Sequence, residues 1–303
     1  MLYCGWDGGG TKTEVCLTDE TGRVTASAFF GPLNPNGASP ERVSDTVKQC
    51  VLYMKEHAGA LSEIGGLVIG MAGISNRGAS AFVKNALASA GWTGPFCLTG
   101  DQEIALAGAV DGPGMLLIAG TGSVCCGRDI KGQPFRVGGY GYLIDDAGSG
   151  WAVGRSILAA VVRAEDGRGP ATVLTGLVFE RLKIKTVGDL ITWLYTPETG
   201  KREVAALASL LPDALDRQDA AAAAIARQAA SDLADLAETG WKKTGLKEGN
   251  LAVTGSILLR IPVIRSLLEE RLSRTCPLLR VAEPLGTPAE GAAKMACESS
   301  AKN

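Results

Sequence analysis

A single histidine, His57, stands in the 303 residues of the chain, in the polar stretch Lys55-Glu56-His57-Ala58 at the end of an expected helix. Histidine-based nucleophile triads and multi-histidine metal sites are excluded by that scarcity. An excess of one charge is lacking too. Thirty basic and thirty-two acidic side chains leave a net charge of −2, which favours neither nucleic acid nor an anionic membrane as partner. No run of about 18 apolar residues occurs, and Asp7 arrives before a signal-peptide core could form, so a cytoplasmic protein is expected. The eight cysteines show no C-x-x-C spacing and mostly sit in apolar stretches, which reads as buried, reduced thiols.

What the chain has is enough apolar residue for a folded core, 46% hydrophobic against 20% charged, and a length that suits two domains. Leu2 to Trp6, Glu14 to Thr18 and Arg23 to Phe30 read as an antiparallel meander. A helix over Pro40 to His57, a strand over Gly66 to Met71, a helix over Ala79 to Ala90 and a strand over Pro95 to Thr99 follow. After Asp111-Gly112-Pro113-Gly114 the pattern restarts with strands over Met115 to Ala119, Ser123 to Arg128 and Gln133 to Val137, which hints at a duplicated unit. Helices dominate from Trp151 to Gly240. The alanine-rich segment Gln218 to Lys243 places Ile225, Ala229, Leu233 and Leu236 for burial. A short strand, Leu251 to Val253, and a closing helix, Pro288 to Cys297, complete the reading.

Glycine-rich turns carry the chemistry. Asp7-Gly8-Gly9-Gly10-Thr11-Lys12-Thr13 and Gly120-Thr121-Gly122-Ser123 each leave a buried strand, and Thr254-Gly255-Ser256 is a third such turn. A glycine turn lets backbone N–H groups close on an anion with no Cβ in the way. Taken alone, Gly8-Gly9-Gly10 reads equally well as a structural hairpin. Two turns together, one led by an acid, point to a shared polyphosphate, with Asp7 placed to hold Mg²⁺ through water. Lys12 is read either as a point charge on the phosphates or as a solvent-facing side chain. A P-loop and a dinucleotide fold are both excluded by spacing, because no G-x-x-x-x-G-K-[ST] occurs and a strand follows Gly10.

These residues, with Thr99-Gly100-Asp101, Gly138-Gly139-Tyr140-Gly141 and Asp146-Ala147-Gly148-Ser149-Gly150, resemble the BadF/BadG/BcrA/BcrD-type ATPase family. Within it the chain is similar to the N-acetylglucosamine kinases and the bacterial glucosamine and N-acetylmuramate kinases. The resemblance runs from about Leu2 to Ala296. It implies an α/β fold of two ribonuclease-H-like, actin-like ATPase domains with an interdomain nucleotide cleft. The expected division is residues 1–112, joined by a C-terminal helix at about 288–303, and residues 113–287 with a helical part. It implies ATP and Mg²⁺ as cofactors, a small amino sugar as the other partner, and a homodimer as the assembly.

By the same resemblance Asp101 matches the general base for the sugar's 6-hydroxyl, and it also reads as an N-cap of a helix over Gln102 to Val110. Asn34 matches a sugar-hydroxyl ligand, Gly73 matches the turn whose backbone approaches the sugar, Gly139 matches a substrate-binding position, and Asp146 matches the acid that binds the sugar from the second domain. Asp146 alternatively reads as the cap of a helix starting near Gly150. Gly9, Gly10, Thr11 and Lys12, with Gly120, Thr121, Gly122 and Ser123, match the phosphate turns. Gly255 and Ser256 match the adenosine side, and Gly291 and Ala292 match the helix that packs back on the first domain. One departure stands out: Ala147 occupies the place of a glutamate in the animal N-acetylglucosamine kinases, which moves the expectation toward the bacterial amino-sugar kinases. The competing reading is an activator ATPase of a 2-hydroxyacyl-CoA dehydratase or aromatic-CoA reductase. That function needs cysteines on an iron–sulfur cluster, and adjacent Cys125 and Cys126 would point to opposite faces of a strand.

Overall fold

The computed structural model describes residues 1–34, 38–71 and 77–300, among which the chain forms ten strands and twelve α-helices. Strands β1 (Leu2–Gly8), β2 (Thr13–Thr18) and β3 (Val24–Phe30) form the opening meander, followed by α1 (Pro40–Ala58), β4 (Ile64–Met71), α2 (Arg77–Ser89), β5 (Phe96–Gly100) and α3 (Asp101–Ala109). Then come β6 (Gly114–Ala119), β7 (Ser123–Arg128) and β8 (Pro134–Gly138). Helices α4 (Gly150–Glu165), α5 (Leu174–Leu182), α6 (Val187–Leu194), α7 (Lys201–Ala206), α8 (Leu211–Asp216) and α9 (Ala220–Thr244) fill the next stretch. The chain closes with β9 (Gly249–Thr254), α10 (Ser256–Arg260), α11 (Pro262–Thr275), β10 (Leu279–Ala282) and α12 (Pro288–Ser300). No helix among the described residues is long and apolar enough to cross a membrane.

Two compact units result. One holds residues up to Asp111 together with the segment from Pro284 onward, and the other runs from Gly112 to Glu283. The first sheet has the order β3-β2-β1-β4-β5 and the second, taken from its other edge, β8-β7-β6-β9-β10. In both, the first three strands are antiparallel and the last two run parallel to the central one. The same topology twice over is a structural duplication that slight residue identity conceals.

In the first unit, β1 is buried at Cys4, Gly5 and Trp6, as a central strand covered on both faces must be. Helix α1 covers one face through Val43, Val47, Cys50, Val51 and Met54; Ser39 caps its start and Pro40 opens its first turn. Helix α12 covers the other face, and backbone meets backbone there. A Cβ on Gly5 would lie 2.1 Å from the Ala289 carbonyl oxygen, and one on Gly291 would lie 2.1 Å from that of Ile104. Ala292 and Ala296 bury themselves against Val68 and Ile104.

In the second unit, α9 is capped by Asp219, which accepts from Ala222 N at 2.9 Å, and it ends at Gly245 in the left-handed region. Its buried face is rotated from the one the spacing predicts. Ala222, Ala226, Ala229, Ala230, Leu233, Ala234 and Ala237 form it, while Ile225 and Leu236 pack at its margins. Alanines on that face let the helix approach the sheet closely; at Gly240 an added Cβ would meet Cys125 Sγ at 2.7 Å. Strand β10 and the short helices α5 to α8 carry too few residues for a visible period, and the sequence does not resolve them individually.

Two expected caps are corrected. Helix α3 begins at Asp101 itself with Gly100 as its N-cap, and α4 is capped by Ser149, whose hydroxyl accepts from Ala152 N. The cysteines carry no disulfide; six are buried, Cys297 is half-buried and Cys97 is exposed.

Candidate active site

Parallel pairing in the first unit brings three strand ends into one row, because Gly8 pairs with Met71 and Met71 pairs with Gly100. Asp7 and Asp101 therefore stand at the carboxyl edge of one sheet, where ligands of open α/β sheets bind. Antiparallel pairing adds Glu14 opposite Asp7. Burial pushes the Asp7 carboxyl up to about 6, the charges of Glu14 and Asp101 push in the same direction, and Lys12 opposes them. Three acids against one lysine form a field that a divalent cation would relieve. Among the described residues no three metal-binding side chains converge to ligate an ion directly. A cation beside Asp7 would thus keep water in its shell, the habit of Mg²⁺.

The first glycine turn is closed by Gly9 N donating to Lys12 O at 2.9 Å. The Gly9 carbonyl then accepts from Leu33 N at 3.1 Å and Asn34 N at 3.2 Å, so the turn holds the Asn34 segment directly. Gly8 permits this approach, since a Cβ there would lie 2.6 Å from Leu33 Cδ2. The Gly9 amide is thereby committed to the protein. Those of Gly10 and Thr11 have no protein acceptor among the described residues. Lys12 lays its ammonium over the Phe29 ring at 4.1 Å to the centroid, a cation–π seat on the outer strand. Asp101 is exposed, and its Oδ1 accepts from Gln102 N at 3.0 Å. Gly73 lies outside the described residues.

The second turn, in the second unit, follows the same plan. Gly120 N donates to Gly122 O at 2.9 Å, and Gly120 O accepts from Gly150 N at 2.7 Å, which ties the turn to the start of α4. The amides of Thr121 and Gly122 have no protein acceptor among the described residues. Ser123 serves the turn from beneath: it is buried, and its hydroxyl donates to Ala147 O at 2.7 Å. Gly255 has φ +97°, and a Cβ on it would lie 2.4 Å from the Ala119 carbonyl carbon, so the third turn is seated on the second. Ser256 is the exposed first residue of α10. Gly139 also has a positive φ, and its carbonyl accepts from the Arg136 guanidinium.

Asp146 is the buried carboxylate of this unit, 3% exposed, on a backbone with φ 60°. Its Oδ1 accepts from Ser123 N at 3.4 Å and its Oδ2 accepts from Lys201 Nζ at 2.6 Å. Neither Glu14 nor Lys201 is found by reading the sequence for motifs. Glu14 shows itself only through strand register, and Lys201 begins a short helix 55 residues away from its partner.

The family model of the BadF/BadG/BcrA/BcrD ATPases matches residues 4–296. An N-acetylmuramic acid/N-acetylglucosamine kinase of Clostridium acetobutylicum is 33% identical over 231 residues, 76% of each chain. An N-acetyl-D-glucosamine kinase of Dictyostelium discoideum is 28% identical over 98% of each chain. A solved structure from Chromobacterium violaceum, assigned as an N-acetylglucosamine kinase, superposes with a TM-score of 0.76 at 24% identity, covering 97% of this chain and 98% of that one, and so shares the fold.

Proposed function

Since the chain belongs to the BadF/BadG/BcrA/BcrD ATPase family, we propose that it is an ATP-dependent amino-sugar kinase that phosphorylates the 6-hydroxyl of N-acetylglucosamine or glucosamine. The observation that carries this reading is the exposed carboxylate of Asp101 at the same sheet edge as Asp7, with Asn34 held by the turn that follows Asp7. An ATPase needs the turns, a metal ion and a group that orients water; a kinase needs in addition a ligand for the acceptor, the role of Asn34 here beside Asp101 as base.

In the proposed reaction the sugar hydroxyl oxygen attacks the γ-phosphorus, the bond to the β–γ bridging oxygen breaks, ADP leaves, and the hydroxyl proton passes to the Asp101 carboxylate. The amides of Thr121 and Gly122 are free to take phosphate oxygens, as are those of Gly10 and Thr11. Asp7 would hold Mg²⁺ through water, and the ion would neutralise phosphate charge. Lys12 is seated on Phe29, which favours a steering role over a direct phosphate contact. Ala147 is exposed and brings no carboxylate to the sugar's acyl side, consistent with acceptors whose 2-amino substituent varies. The activator reading is less supported: the relatives named above are sugar kinases, and Cys125 is packed into the core against α9.

The test is Asp101→Asn. Sugar-dependent ADP release should fall by about 10²- to 10⁴-fold while affinity for Mg·ADP stays within about twofold. Unchanged release would remove Asp101 as the base.

A further inference from the structure

The Gly120–Ser123 turn rests on an ion pair. Asp146 carries a carboxylate that is only 4% exposed, and Lys201 meets it at 2.6 Å from the first residue of α7. The pair lies directly against Gly122. A Cβ on that glycine would be 2.9 Å from Asp146 Oδ2 and 3.0 Å from Lys201 Nζ, so the turn, the carboxylate and the ammonium are in contact. The other carboxylate oxygen accepts from Ser123 N, and the next residue's carbonyl, that of Ala147, accepts the Ser123 hydroxyl. Helix α7 is itself fixed at that end, with the Glu203 carboxylate accepting from Gly200 N at 2.8 Å.

Removing the cation from such a pair leaves a buried, uncompensated negative charge, which is far more costly than removing both partners. Here the charge would also sit beneath the amides offered to a polyphosphate. We propose that Lys201 is a positioning residue for nucleotide binding: it neutralises Asp146 and locks it under Gly122, so that the Thr121 and Gly122 amides present to phosphate. The inference rests on the reading of this turn as a phosphate site. Lys201 acts through Asp146, whose carboxylate retains lone pairs for a further donor such as a sugar hydroxyl.

The experiment is titration of the full-length protein with a fluorescent Mg·ADP analogue, with no sugar present. Lys201→Met should weaken binding at least tenfold, Lys201→Arg should restore most of the loss, and the double variant Asp146→Asn with Lys201→Met should bind more tightly than Lys201→Met alone. The double variant buries no unpaired charge, so it folds even where the single one is unstable, and melting temperatures separate the two effects. A Lys201→Met protein with wild-type affinity would overturn the inference, as would a double variant weaker than the single. A wild type that binds Mg·ADP but phosphorylates no amino sugar would remove the kinase reading and leave this one standing. A wild type that binds no Mg·ADP would remove both.

Discussion

The Asp7 carboxylate stands where its charge lowers the stability of the metal-free chain. Its folded-state carboxyl lies at about 6, raised by burial and by Glu14 and Asp101, against the 3.8 of an unstrained aspartate. The folded chain therefore binds more protons than the unfolded chain between those values, and stability falls as pH rises through that window. In the metal-free protein, Asp7→Asn should raise stability at pH 7.5 by about 2–3 kcal/mol, and the gain should close as pH falls from about 6 toward 4. Denaturant unfolding at the two pH values reads this directly. A gain that persists at pH 4 would contradict the account. Asp7 and Asp101 were both legible as acids at strand ends. Glu14 was not, because its relevance comes from lying opposite Asp7 across a hairpin, a relation that no motif encodes.

At the scale of the element, the glycine turns work by close approach, and each is specified from outside itself. Gly255 allows the β9 turn to rest on the Ala119–Gly120 peptide, and Gly5 allows α12 to rest on β1. Gly255→Ala meets both a left-handed φ and a backbone carbonyl. A loss of about 3 kcal/mol is expected, roughly 6–12 °C in melting temperature for a unit of this size. Gly22→Ala serves as the comparison, since it also has positive φ but open space around the missing Cβ, and it should cost about 1 kcal/mol or a little more. Equal losses for the two would show that packing on Ala119 contributes nothing. Element types were legible wherever an apolar run or a helical stripe was long, as in β1 and α9. The caps were not, because Gly100 and Ser149 differ from the expected Asp101 and Asp146 by only one and three residues, and that choice is made by the turn geometry around them.

On the scale of the molecule, the same five-stranded order is built twice, and the first copy is completed by the end of the chain. Without α12, the Gly5, Val68 and Ile104 surface of the first unit would face water. A fragment of residues 112–283 should unfold in one cooperative transition. A fragment of residues 1–111 should show none until residues 284–303 are supplied, which circular dichroism on heating would reveal. The repeat was faintly legible, since each half opens with a strand, a glycine turn and two more strands. The buried pairing of Asp146 with Lys201 was not, because burial and long-range partners are properties of the folded chain.

The proposed reaction is phosphorylation of an amino sugar, with Asp101 taking the hydroxyl proton. The most direct measurement is ADP formation from Mg·ATP with glucosamine, N-acetylglucosamine, N-acetylmuramate, N-acetylmannosamine and glucose in turn, with mass spectrometry and NMR locating any phosphate on the sugar. ADP release should depend on N-acetylglucosamine or glucosamine and yield the 6-phosphate, and it should be lost in Asp101→Asn. ADP formation at the same rate with and without every sugar, and no sugar phosphate, would contradict the proposed reaction.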